Sequence, residues 1–543
     1  MEFNLADLFE SVVDAVPDVL AFVADGRRLT YRALDQRAAR LAHHFAAAGI
    51  RPGDRIGLQL VNGSEYLEGM LACFKIRAVP VNVNYRYVAG ELRYLYADAG
   101  LVGLVAHTRF VPAAEVALEA LADRRVLLEV VESSQDAHGG LAAGWQDYEA
   151  ALAGAAPTRD FPGRSADDLY CVFTGGTTGM PKGVLWRQED IFFAAMGGGD
   201  PLSMGNYITA PEELAGRVLR PGIVSLAIPP FMHASGHWLA FSTMFGGGTV
   251  VTLPGGHFDP AEVWRLIDEE RVNALVIVGD AMARPLLDEL AANREDHDLS
   301  SLMAVGSGGA LLSPSTKRRI AELLPGRVVA DLFGSSETGQ VGGEQAPDDP
   351  YGAPRLRVDA RTDVLDDTLE PVVPGSGAVG RLARSGHVPI GYLGDPAKSA
   401  ATFVEAGGRH WSLPGDLAVV EADGTITILG RGSLSINTGG EKVFPDEVEG
   451  VLKAHPDVVD ALVVGVADDR LGQQVCAVVA FRPGHQFDLD ELQGFCRGQL
   501  SGYKIPRRLA VVDEVRRSAA GKPDYPWASE VARQQGPAAD AAR

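Results

Sequence analysis

Two periodicities alternate along the opening of the chain. Leu34, Ala38, Leu41 and Phe45 recur at helical spacing, and Gly49 with Pro52-Gly53-Asp54 ends that helix. Residues 55–60 alternate like a strand, a helix follows over about 64–75, and the apolar run 78–83 reads as the next strand. Strands alternating with helices predict a parallel sheet covered on both faces. The rhythm returns later: Asp259-Pro260 starts a helix with Val263, Trp264 and Ile267 on its inner face, and strands follow at 274–278 and 303–306. Residues 370–392 read as short strands broken by Gly and Pro. Strands at 461–466 and 476–481, a helix at 489–500 and Val511-Val512 predict a small α+β unit at the end. Residues 101–164 are Ala- and Glu-rich and read as further α/β structure. Residues 196–222 read as a long surface loop, and residues beyond about Val531 as an unstructured tail.

Length and charge narrow the function classes. The 543 residues hold about three or four domain-sized units. A net charge of −22 disfavours nucleic acid, whose phosphates would be repelled. Cys73, Cys171, Cys476 and Cys496 are scattered, which fits neither a disulfide framework nor a zinc site. No apolar run reaches the length of a membrane span, and the first residues lack a signal-peptide pattern. A cytoplasmic enzyme without an integral membrane segment is expected; a homo-oligomer is compatible with the sequence but not readable from it.

The chemistry concentrates after the apolar run 169–173. Thr174-Gly175-Gly176-Thr177-Thr178-Gly179-Met180-Pro181-Lys182-Gly183 packs glycines, threonines and a lysine into one short segment. Glycines let backbone N–H groups approach a ligand, threonine hydroxyls add donors, and lysine adds a charge suited to phosphate. A surface hairpin turn would share the composition but does not need the Thr-Thr pair or the Pro-Lys-Gly ending. This is not the Walker loop, which requires Gly-Lys-Ser/Thr opening a helix; here Val184-Leu185-Trp186 continues as a second strand.

A strand–loop–strand phosphate cradle of this kind resembles the signature of the adenylate-forming superfamily, in which acyl-CoA synthetases, peptide-synthetase adenylation domains and beetle luciferases fall. Other segments match in order. Gly308-Gly309-Ala310 resembles the turn that lies against adenine. In Asp331-Leu332-Phe333-Gly334-Ser335-Ser336-Glu337, Phe333 would stack on adenine, Ser336 stands where threonine is usual, and Glu337 would hold Mg²⁺ together with Thr178. Asp416 would clamp the ribose hydroxyls, although Pro414 replaces the usual threonine. Arg431 would also reach the ribose, and Ser433 stands at the hinge, where Asp or Lys is common. Gly439-Gly440 would leave room for pantetheine, and Lys522 in Gly521-Lys522 would bridge the carboxylate and α-phosphate. His233 follows Pro230-Phe231-Met232 and by the same resemblance lies at the substrate site. A metal reading of His233 and His237 is poor, because no Glu stands at 234 and Pro230 and Gly236 spoil a regular helix. Gly391-Tyr392 with Asp395-Pro396 resembles the family's small β-barrel.

The resemblance implies an α/β multidomain chain. Residues 1–430 would form two doubly wound lobes plus a β-barrel subdomain, 431–535 a small mobile α+β domain, and 536–543 a disordered tail. It implies ATP, Mg²⁺ and CoA acting on a small-molecule carboxylic acid. Thr174, Gly175, Gly176, Thr177, Thr178, Gly179 and Lys182 would hold the phosphates, with catalysis by Lys522, Glu337, Thr178, Lys182 and His233. The acid's pocket is expected from residues 231–238, 306–312 and 339–343. The wording of Gly279-Asp280-Ala281-Met282-Ala283-Arg284-Pro285-Leu286, Gly334 to Gly339 and Gly430-Arg431-Gly432-Ser433 resembles actinobacterial synthetases acting on bulky acids such as steroid side chains. Two rivals share these motifs: a ligase with an amine acceptor or a non-carboxylic acid, such as a diazotase, and a nucleotide-binding relic without turnover. Retention of Lys182, Glu337, Asp416 and Lys522 disfavours the relic.

Overall fold

The computed structural model describes residues 1–535 apart from 25, 132–140, 175–179, 202–204, 311, 346–354, 432–433, 439–440, 469–470, 486–487, 498 and 519–520. Gly175, Gly176, Thr177, Thr178, Gly179, Ser433, Gly439, Gly440 and the expected tail 536–543 therefore lie outside the described residues.

The first sheet is wholly parallel, in the order Val79–Asn82, Arg55–Gln59, Leu101–His107, Val126–Val130, Gln146–Asp147. Thr30 caps helix Tyr31–Ala47 by accepting from the Ala33 amide, and helix Ser64–Lys75 is buried along its length. Between these helices and the phosphate-loop hairpin lies a core that includes Phe45, Tyr66, Phe74, Trp186 and Phe241. Even Lys75 is buried there, its ammonium held by Glu10 (2.5 Å) and Asp35 (2.6 Å), so its charge is paired on removal from water.

The second sheet runs parallel through Leu20–Ala24, Thr249–Val251, Val224–Ala227, Ala274–Ile277, Ala304–Gly308 and Val328–Ser335. Helix Pro260–Glu269 covers it as its sequence dictates: Asp259 accepts from the Ala261 amide, Pro260 opens the helix, and Val263, Trp264, Leu266 and Ile267 are buried. At Gly339–Gln345 the sheet turns antiparallel and continues through Arg355–Val358, Ile426–Arg431, Asp416–Val420 and Val379–Ser385 around a small apolar core. The expected β subdomain is thus an extension of the parallel sheet.

Three local expectations need correction. Gly391–Tyr392 pairs with Lys182–Arg187 in the phosphate-loop hairpin's own three-stranded sheet, not with the β subdomain's strands. The described residues of the stretch 196–222 are packed: Ile208 and Leu214 are buried, and Pro211–Glu213 and Leu214–Arg217 are helical turns. Gly198 and Gly199 serve close approach, since a Cβ on either would meet Tyr207 or Ile208 within 2.7 Å. The last helix, Tyr525–Gln534, extends past Val531 and is capped by Asp524 at the Trp527 amide.

A separate five-stranded sheet closes the chain, built from Glu441–Val443, Ile436–Thr438, Gly472–Phe481, Val458–Asp468 and Arg508–Val512. Helices Pro445–Lys453, Leu489–Arg497 and Tyr525–Gln534 pack on it. The architecture is α/β with a large N-terminal portion and a smaller C-terminal domain.

Candidate active site

Strands Leu169–Thr174 and Lys182–Arg187 pair antiparallel with Thr174 opposite Lys182, so both ends of the Gly/Thr loop are fixed by one hairpin. Asn82 secures the first strand: its amide donates to the carbonyls of Phe173 (2.8 Å) and Met232 (2.7 Å) and accepts from the Phe173 N–H (2.7 Å). One buried side chain therefore ties the loop's base to the segment that carries His233.

Lys182 lies 2.5 Å from the Asp395 carboxylate, whose pKa this hydrogen bond holds low. Its ammonium also sits 6.0 Å from the centre of the Tyr392 ring. The Tyr392 hydroxyl donates to Glu337 Oε1 at 3.0 Å. The turn carrying Glu337 is clamped on both sides. Trp186 Nε1 donates to the Ser336 carbonyl at 3.0 Å, and Ser412 Oγ to the Glu337 carbonyl at 2.6 Å. Within the turn, Ser335 Oγ accepts from the Glu337 amide and Thr338 Oγ1 from the Ser335 amide. The structure thereby joins the phosphate-loop hairpin, the Glu337 turn and the segment leading to Asp416. Asp416 opens strand Asp416–Val420 opposite Arg431 and is 8% exposed. Only the backbone of Arg431 is described.

Phe333 and Gly334 and the Gly308-Gly309-Ala310 turn stand together at the carboxyl ends of neighbouring parallel strands, where open α/β sheets take ligands. The register shifts between Phe333 and Gly334, and a Cβ at 334 would drive into the Gly339 carbonyl. Gly309 has φ +89°, and Ser307 Oγ shapes the turn by donating to the Ala310 carbonyl (2.6 Å) while accepting from the Gly279 amide (2.8 Å). Asp331 has an inward placement: its buried carboxylate accepts from the Leu312 amide (3.0 Å) and pairs with Lys317 (2.7 Å). Burial raises its pKa. Its described contacts hold the segment that follows the 308–310 turn.

His233 precedes helix Ala234–Phe245. Its Nε2 is sealed from solvent with no hydrogen-bond partner among the described residues. Burial, then the Lys522 charge, His237 and Arg86, lower its pKa to about 3, so the ring is neutral at physiological pH. His237 is a core residue, its ring nitrogens engaged by the Tyr170 hydroxyl and the Phe231 carbonyl. Lys522 sits in a turn closed by Ser518, whose amide donates to the Lys522 carbonyl at 2.9 Å. Gly521, at φ +67°, abuts Val278 of the large portion, which sets the Lys522 turn against the start of helix Gly279–Ala292.

Sequence reasoning missed Tyr392, Ser412, Trp186 and Asn82 as parts of this site. Trp186 and Tyr392 follow the Gly/Thr loop and the Gly of Gly391, but their partners lie 150 and 55 residues away and leave no local signal.

Comparison with known proteins places the chain in a family. A family model described as AMP-binding enzyme matches residues 9–393, and one described as AMP-binding enzyme C-terminal domain matches residues 447–522. The chain is 48% identical over 541 residues to a 3-oxocholest-4-en-26-oate–CoA ligase of Rhodococcus rhodochrous, covering 98% of this chain and 96% of that one. It is 48% identical over 531 residues to a medium/long-chain-fatty-acid–CoA/3-oxocholest-4-en-26-oate–CoA ligase of Mycobacterium tuberculosis, covering 97% and 96%. Among solved structures, ATP-bound MatB from Rhodopseudomonas palustris superposes with a TM-score of 0.82 at 26% identity, covering 98% of this chain and 99% of that one. The anthranilate CoA ligase AuaEII, at 22% identity and TM-score 0.83 over 98% of each chain, shares the fold.

Proposed function

This chain belongs to the AMP-binding enzyme family, and from that premise we propose that it is an ATP-dependent acyl-CoA synthetase for a hydrophobic carboxylic acid. In the first step the carboxylate attacks the α-phosphate of ATP, forming an acyl-adenylate and releasing pyrophosphate. In the second the CoA thiol attacks the mixed anhydride and AMP leaves. The observation that carries the reading is the near-full-length identity of 48% to ligases named for fatty and steroid acids. The acid is accordingly a medium- or long-chain fatty acid or a steroid side-chain acid.

The residue roles belong to the same proposal, and the contacts described above support them. Thr174 and Lys182 flank the loop that holds the β- and γ-phosphates, with Thr177 and Thr178 within it. Lys182 would exchange its Asp395 partner for phosphate, another anion that suits a point charge. Phe333 and the 308–310 turn take adenine, and Asp416 with Arg431 takes ribose. Lys522 offsets the charge that builds at phosphorus, the kind of contribution that positioned cations supply in phosphoryl chemistry. Neutral His233 would orient the acid through its one ring N–H and not act as a general acid near neutral pH. Glu337 is an oxygen donor beside the phosphate hairpin and fits Mg²⁺, which favours carboxylates together with substrate phosphates. When bound there, Mg²⁺ would supply charge neutralisation. The boundary between the large and small domains falls at 430/431, with Ser433 the hinge and Gly439-Gly440 at the pantetheine path. Dependence on ATP and CoA fits a cytoplasmic setting, and no helix among the described residues is long and apolar enough to cross a membrane.

The test is a panel of fatty acids, a steroid side-chain acid and benzoate, each with ATP and CoA, read by AMP release. Hydrophobic acids should turn over with CoA and benzoate poorly. Preference for benzoate, or equal turnover when an amine replaces CoA, would overturn the reading.

A further inference from the structure

Helix Gly279–Ala292 belongs to the large domain, yet it grips the small one. Arg284 donates from Nη1 to the carbonyls of Val458 (2.7 Å) and Val459 (2.5 Å), and from Nη2 to that of Lys453 (2.9 Å). Lys453 ends helix Pro445–Lys453, so its carbonyl lies at the negative end of a helix, where a cation is favoured. The guanidinium is anchored on its own side first. Asp280, one turn earlier, lies 3.3 Å from Nη2 and accepts from the Ser313 amide at 2.9 Å.

The grip continues through the small domain to the lysine. Asp460 follows Val459 and pairs with Arg517 through two bonds of 2.6 and 2.8 Å. Arg517 Nη1 donates to the carbonyl of Gly521 at 3.0 Å, and Gly521 precedes Lys522. At the other end of the contact, Gly521 rests on Val278, the residue before the helix that carries Arg284. The helix and the residue before it thus touch the small domain at two places, and the backbone from Val459 to Asp460, with the Asp460–Arg517 pair, links the first to the Lys522 turn.

We propose that Arg284 is a positioning residue for adenylate formation, a latch that holds the small domain where the Lys522 turn rests on Val278 and that releases before thioester formation. This rests on the two-step activity proposed above. All three acceptors belong to the unit that moves and the donor to the unit that stays, so a swing breaks the three bonds together. The stabilisation exists in one pose only, and it biases the equilibrium between poses without touching substrate.

The test uses the full chain with R284A and R284K, dodecanoate as the acid and dodecanoyl-adenylate as the supplied intermediate. R284A should slow pyrophosphate release from dodecanoate and ATP about ten- to hundredfold, since hydrogen bonds to a charged donor are among the stronger ones. Thioester formation from supplied adenylate and CoA should hold or rise, and R284K should recover part of the first step. Independently of activity, spin labels at M303C and V511C report the pose. Both sites are exposed, at 59% and 43%, and the native cysteines are buried. R284A should broaden and lengthen the distance found in the wild type. Equal slowing of both steps, slowing of neither, or an unchanged distance would overturn the latch. Failure of the wild type to release pyrophosphate with any acid would instead overturn the activity, while the distance measurement still decides the latch.

Discussion

Gly521→Ala tests whether the small domain must dock as described for the first step to proceed. Gly521 has φ +67°, a region that costs an alanine about 1–2 kcal/mol. That strain is local to the turn and acts in either pose of the domain. A Cβ would also lie 2.7 Å from Val278 Cγ1 and 3.2 Å from Val278 Cβ. Val278 is 1% exposed, and its Cβ and carbonyl also lie close, so a change of side-chain rotamer does not clear the added carbon and the domain must back away. Overpacking of this kind costs about 1–3 kcal/mol, and only where the two surfaces meet. The equilibrium constant for docking should therefore fall roughly five- to 160-fold, at about 1.36 kcal/mol per factor of ten. Single-turnover pyrophosphate release with a fatty acid and ATP should slow by that factor, while thioester formation from supplied acyl-adenylate persists. A variant that forms adenylate at the wild-type rate, or loses both steps together, would refute the docking geometry.

Three further expectations follow from the site. Tyr392→Phe removes the donor to the Glu337 carboxylate, a charged hydrogen bond of about 1.5–3 kcal/mol; the apparent affinity for Mg²⁺ and the rate of adenylation should change together, and an unchanged Mg²⁺ titration would count against Glu337 as its ligand. His233 has a pKa of about 3, so its ring stays neutral as pH rises from 5 upward, and kcat/KM should show no ionisation near pH 6.5 that belongs to it; an inflection there that disappears in His233→Gln would contradict this. Asn82→Ala strands the Phe173 N–H and two carbonyls beneath the phosphate loop, and should lower the unfolding free energy by about 2–4 kcal/mol in denaturant melts while raising the KM for ATP; a melt like the wild type's would mean that the three bonds carry no stability.

The elements and their order were legible where local pattern decides structure. Helix Ser64–Lys75, the hairpin flanking the Gly/Thr loop and the capped helix at Pro260 have the bounds that their punctuation predicts. What stayed hidden depends on pairing between distant segments. Gly391–Tyr392 looked like one more short strand of the β subdomain, because nothing in its sequence says that its partner is Leu185 and Val184. The 196–222 stretch misled for a different reason: glycine marks both loops and close packing, and Gly198 and Gly199 serve the second use. The ordered series of Gly308, Phe333, Glu337, Asp416 and Lys522 was visible as a resemblance. The clamps that hold Glu337 in place, from Trp186, Ser412 and Tyr392, were not, since a lone donor side chain carries no periodicity.

The conversion of an acid, ATP and CoA into an acyl-CoA runs through an acyl-adenylate and releases pyrophosphate and AMP. Its most direct test is the product ratio with purified protein and dodecanoate, read by chromatography with mass detection. AMP, pyrophosphate and dodecanoyl-CoA should form in equal amounts, and omission of CoA should leave enzyme-bound dodecanoyl-adenylate. Formation of ADP and phosphate, or of AMP without any thioester when CoA is present, would contradict the account.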